Sequence, residues 1–183
     1  MEINQKIITI IGSRETPQLE LDFIEEMAEK FALNSWILRS GAAKGADKAG
    51  EDGFDKVQGE KEIYLPWKRF MNSSSTLISP EFSNWQNAVS LMLFLHSNPK
   101  AAKAKETVMK LLARDIYQIL GKDLNRPSDL VLCYTPNGEL KGGTALALRV
   151  CQWYKEETDN EIPIINIGSL GIEKARESLL KFL

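Results

Sequence analysis

The sequence predicts an α/β fold: a single Rossmann-like three-layer domain, residues 1–183, around a mainly parallel sheet of about five strands. Three observations carry this. Short β-branched runs such as KIITII (Lys6–Ile11) alternate with stretches of helical period. The strands are continuous apolar runs, as expected where helices cover both faces of a sheet. Small-residue turns follow the strands, and right-handed crossovers bring such turns to one edge.

The elements follow in order. Lys6–Ile11 is the first strand, stopped at Gly12. Thr16 and Pro17 open a helix in the N-cap and first-turn positions, with Ile24, Met27, Ala28 and Phe31 as its core stripe. Trp36–Leu38 is strand two, and Lys44–Lys56 the helix after it. Glu62–Pro66 is strand three, followed by a polar loop or lid over Trp67–Asn84. Residues 86–96 form a helix, and a longer one runs from Pro99 to Gly121. Asp129–Tyr134 is strand four, and GGTALALRVCQWYKEE is a glycine-initiated helix. Ile162–Gly168 is strand five, and residues 171–182 close the chain as a helix.

Hydrophobic residues make up 43% and the net charge is −2, so nucleic-acid binding by bulk positive charge is disfavoured, though a local basic patch is not. Cys133 and Cys151 lack metal-ligand spacing, and with one histidine, His96, and no nucleophile elbow no Ser-His-Asp or Cys-His arrangement can be argued. No metal and no cofactor is expected. The N-terminal apolar run is too short for a signal peptide and no stretch approaches a membrane span, which predicts a cytoplasmic protein with no membrane partner.

Three turns carry the candidate site: Gly12, Ser13 and Arg14 after strand one, Ser40–Asp47 (SGAAKGAD) after strand two, and Thr135–Thr144 (TPNGELKGGT) after strand four. Two of these run into helix N-termini, where free N–H groups and the positive dipole end favour an anion. The N–H groups of Gly41, Gly45, Gly142 and Gly143 are expected to face one crevice, with the hydroxyls of Ser13 and Thr144 and the charges of Arg14 and Lys44 beside them. Glycine-rich turns also arise where a chain simply reverses tightly. Neither G-x-G-x-x-G nor G-x-x-x-x-G-K-[ST] is present.

Other residues have two readings. Asp115 falls within the apolar arc Ala101, Ala104, Val108, Leu111, Leu112 and Ile119, either as a structural pair or as an acceptor for a ligand. Arg114 at the arc's boundary is a ligand candidate, whereas Lys100, Lys103 and Lys110 read as a solvated face. Trp67 either stacks a base or covers the sheet edge. Trp36, Trp85 and Trp153 read as core or interface, His96 as structural and Cys133 as core.

IGSR, SGAAKGAD, YLPW and GGT, in this order, resemble the SLOG superfamily of Rossmann-like domains, which takes in DprA-type and LOG-type members. ARDIYQILG (Ala113–Gly121) is similar to small phage- or prophage-type members. The resemblance implies a nucleotide-derived small-molecule ligand of the ADP-ribose or cyclic-nucleotide kind, a homo-oligomer, and in a phage setting a sponge or sensor in phage–host conflict. Ala42 stands where the family usually has Gly and Lys44 where it has Arg. The hydrolase branch has a Glu three residues after the Thr of PGGxGT; here that position is Ala147, so binding is favoured over hydrolysis. A phosphoribohydrolase would have to use Glu51 or Asp115. A DprA-like binder of single-stranded DNA is the third reading.

Overall fold

The computed structural model describes residues 5–96, 103–140 and 142–183. Pro99, Lys100, Ala101 and Lys141 lie outside the described residues. The chain runs β1 (Ile7–Gly12), α1 (Gln18–Leu33), β2 (Ile37–Ser40), α2 (Ala46–Asp55), β3 (Lys61–Leu65), β4 (Leu77–Ile78), α3 (Trp85–Leu95), α4 (Glu106–Leu120), β5 (Leu130–Tyr134), α5 (Gly142–Thr158), β6 (Ile164–Asn166), α6 (Ile167–Leu170) and α7 (Ile172–Leu180). Six strands form one sheet in the order β4-β3-β2-β1-β5-β6, and every pairing is parallel.

Strand alternation splits the core into two layers. Ile8 and Ile10 of β1, with Leu130 and Leu132 of β5, face α1, α2 and α7 through Ile24, Met27, Phe31, Phe54 and Leu179. Ile11, Val131 and Cys133 face α3, α4 and α5 through Met92, Ile116, Tyr117 and Leu146. These strands are therefore apolar on both faces, which is why they read as unbroken runs.

The elements depart from expectation in five places. A sixth strand, β4, sits inside the expected loop or lid; at two residues it is too short for any period. β2 extends to Ser40 because Arg39 is buried and satisfied there, its Nε donating to Glu62 Oε2 at 2.6 Å and its Nη1 to the Arg126 carbonyl at 2.6 Å. α4 begins at Glu106, since Lys105 has extended backbone (φ −58°, ψ 146°). β6 ends at Asn166, whose side chain accepts the Gly168 N–H at 3.0 Å and starts α6. At the start of α1, Pro17 takes the N-cap position and the Thr16 hydroxyl instead donates to the Ser13 carbonyl at 2.6 Å. Among the described residues no helix is long and apolar enough to cross a membrane.

The tightest helix contact is α1 against α2. A Cβ at Gly53 would stand 2.4 Å from the Glu25 carbonyl oxygen and 2.6 Å from Ala28 Cβ. Gly53→Ala should therefore lower the unfolding free energy by about 1–3 kcal/mol through overpacking, although Ala is the better helix former by about 1 kcal/mol. Urea denaturation measures this, and an unchanged or raised midpoint contradicts it.

Candidate functional site

β1 lies beside both β2 and β5, so the turns after these three strands share one edge. The chain first builds outward from β1 through β2, β3 and β4, then returns to add β5 and β6 on the other side. Strand order thus reverses between β1 and β5, where a crevice opens at the carboxyl ends of the strands. A cleft of about 420 Å³ occupies this point. Gly12, Ser13 and Arg14 form one wall, Gly142, Gly143 and Thr144 at the start of α5 a second, and α4 a third.

Acid and base meet on the floor. Asp47, 3% exposed in the first turn of α2, accepts the Gly41 N–H at 3.1 Å, and the N–H groups of Ala43 and Gly12 are also directed at it. Converging backbone donors of this kind form an anion nest, and here the anion is the protein's own. Burial pushes the Asp47 carboxyl pKa up, while Arg114 and those donors oppose the shift. Arg114 of α4 donates from Nη1 to the Gly41 carbonyl at 2.6 Å and from Nη2 to Asp115 Oδ1 at 3.0 Å. Gln118 Nε2 donates to the same Asp115 oxygen at 3.2 Å. Burial pushes Asp115 up to about 6, against the pull of Arg114.

The sequence-predicted residues divide. Gly12, Ser13, Arg14, Asp47, Arg114, Asp115, Gly142, Gly143 and Thr144 line the cleft. Gly41 does not: its N–H is taken by Asp47, and a Cβ there would meet Gln118 Nε2 at 2.2 Å. Gly45 has φ 83°, and a Cβ would fall 2.2 Å from the Ser13 carbonyl oxygen, so this glycine serves the approach of two loops. Of the four glycines expected at one crevice, Gly142 and Gly143 line the cleft, while the turn after β2 is filled from within. Thr135 is 2% exposed, and its Oγ1 accepts from Asn166 Nδ2 at 2.7 Å. Trp67, 37% exposed, packs edge-to-face on Phe70 at 5.2 Å and lines no part of the cleft.

Ala42, Lys44 and Glu51 line a neighbouring groove, and Ser40, fully buried, donates from Oγ to Glu51 Oε1 at 3.2 Å. Sequence reasoning missed Gln118, and it read Val108, Leu111 and Leu112 only as part of an apolar arc, whereas they line the cleft. The available signal was the polar set Arg114, Asp115 and Gln118 on a helix face that is otherwise apolar. Among the described residues no group of three or more His, Cys, Asp or Glu is placed to hold a metal ion.

Burial and the nearby Asp47 charge push Glu51 from its ordinary 4.5 up to about 7. The folded state thus holds this proton more tightly than the unfolded chain does. The resulting stability is complete below the unfolded pKa and is lost as the pH rises through about 7. Glu51→Gln removes the charge and keeps an acceptor for Ser40. Urea unfolding from pH 5 to 8 should show the wild type losing on the order of 1–3 kcal/mol relative to the variant. Parallel curves contradict the assignment.

Residues 1–57 match the family model of DNA recombination-mediator protein A. Among curated proteins none matches the chain. DNA processing protein A (DprA) of Streptococcus pneumoniae aligns with 97% of this chain at 15% identity and a TM-score of 0.52. The alignment covers 56% of that protein, so this chain spans little more than half of its length. Two structures of the molybdenum cofactor carrier protein of Chlamydomonas reinhardtii align over 97% of this chain at 15% identity, with TM-scores of 0.43 and 0.46. The chain thus has a Rossmann-like fold similar to that of DprA, and its match to the DprA family model is confined to residues 1–57.

Proposed function

We propose that the cleft binds a nucleotide-derived small molecule, of the ADP-ribose or cyclic-nucleotide kind, without cleaving it. One observation carries the reading: the start of α5, a 17-residue helix, lines the cleft beside a buried Arg114–Asp115 pair. Backbone N–H groups at Gly142–Thr144 suit a phosphate, with the Thr144 and Ser13 hydroxyls and exposed Arg14 beside it. Leu111, Leu112 and Ala147 offer an apolar wall for a base, and Asp115 offers an acceptor for a ribose hydroxyl or a base N–H. A role as sponge or sensor in phage–host conflict rests on the resemblance of Ala113–Gly121 alone.

One feature favours a phosphoribohydrolase as the second reading. Asp115, at about 6, is poised as a proton donor inside the cleft, whereas Glu51 lies in the neighbouring groove. Release of free base from AMP, followed by chromatography, separates cleavage from binding. The family match over residues 1–57 keeps single-stranded DNA as a third ligand, marked by a steep salt dependence.

Calorimetry with AMP, ADP-ribose and cyclic nucleotides tests the proposal. Gly143→Asp should abolish binding, because its carboxylate would occupy the anion position. The Cβ at this position falls 2.7 Å from Asp115 Oδ2, so circular dichroism must accompany the variant. Thr144→Val is the milder probe and should cost about 1 kcal/mol, roughly fivefold in affinity. Lys103→Ala, on an exposed residue outside the cleft, should change nothing. Weakened binding with a flatter salt response in Lys103→Ala, and none in the cleft variants, would replace the small molecule with DNA.

A further inference from the structure

The second groove, about 880 Å³, runs along α2 on the other side of the turn after β2. It meets the cleft at Ala43, which lines both. Lys48, Glu51 and Asp55, spaced by three and four residues, put one stripe of α2 on this groove, and Lys44 of the preceding turn lines it as well. Its far end is electrically balanced, because Lys61 pairs with Asp55. At the end nearest the cleft, Lys44 has no hydrogen bond or ion pair among the described residues, while Lys48 pairs with the exposed Asp52 and its charge also acts on Glu51.

The other wall is the segment after β3, with Asn72, Ser73 and Ser74. Side chains of Asn72 and Ser74 have no hydrogen-bond partner among the described residues. Donors from two elements therefore line a groove that shares Ala43 with the cleft and carries the unpaired Lys44 next to that residue.

We infer that Lys44 and Lys48, with Asn72 and Ser74, form a second anion subsite, so that the ligand is of dinucleotide size with two phosphate groups, one at α5 and one at these lysines. This rests on the small-molecule reading of the cleft. A mononucleotide would fill the cleft alone. A ligand carrying a second phosphate would pass over Ala43, whose short side chain leaves the way open. Burial helps, because it keeps much of Glu51 uncharged near neutral pH and reduces its repulsion of an anion.

Calorimetry on the full chain with AMP and the 5′-phosphorylated dinucleotide pApA, and with GMP and pGpG, tests the inference. The dinucleotide should bind at least tenfold more tightly than its mononucleotide. A Lys44→Ala/Lys48→Ala double variant should remove that gain and leave the mononucleotide within twofold of wild type. Both lysines are exposed, so the fold should persist. If mononucleotide and dinucleotide bind equally, or the double variant weakens both alike, the second subsite is wrong while the cleft reading stands. If none of the four probes binds, the cleft reading fails and the subsite falls with it.

Discussion

The Asp47 carboxylate holds the site together. It collects the Gly41 N–H, and those of Ala43 and Gly12, from the loop after β2 and the end of β1. Arg114 reaches over from α4 and takes the carbonyl of the same Gly41. One residue is thereby pinned at both of its backbone groups, and α2, α4 and two strand ends are fixed relative to each other. Removing a partner from such a buried charged set leaves an uncompensated charge, which costs several kcal/mol. Desolvation by burial raises the pKa of both Asp47 and Asp115 against the pull of the Arg114 guanidinium, and the Asp47 charge adds to the rise at Asp115.

This arrangement explains the glycines and alanines after β2. The loop is small because its own helix and its neighbours press against it: Gly45 against the Ser13 carbonyl, Gly41 against Gln118 and Arg114. Ala42 holds φ 58°, a left-handed conformation that costs an alanine roughly 1–2 kcal/mol, so the surrounding contacts must impose it. The cleft wall at the start of α5, Gly142–Thr144, is formed apart from this loop.

Most of the fold was legible because its strands are buried on both faces and its helices carry clear apolar stripes. β1 and β5 could be read from Ile8, Ile10, Leu130 and Leu132 alone. β4 was not, because two residues carry no period. Arg39 misled the boundary of β2, since a charge reads as a loop until its partners Glu62 and Arg126 are known, and both are distant in sequence. For the site, loop residues at the switch point were found from their small side chains. The filling of the turn after β2 was not, because the sequence places Asp47 beside the loop without saying which way its carboxylate turns. Asp115 stood out as a lone acid among apolar neighbours, and its pairing with both Arg114 and Gln118 shows why it can be buried.

A titration of the nitrogen-15-labelled chain with AMP, followed by amide chemical shifts, tests the central claim most directly: the turn after β2 is served by Asp47, and an external anion is served by α5. Amides of Ser13, Gly142, Gly143 and Thr144 should shift on saturation, while Gly41 and Gly45 stay in place. Large shifts at Gly41 and Gly45, with Gly142 and Gly143 unmoved, would mean that the ligand displaces Asp47 from its nest and would contradict this account.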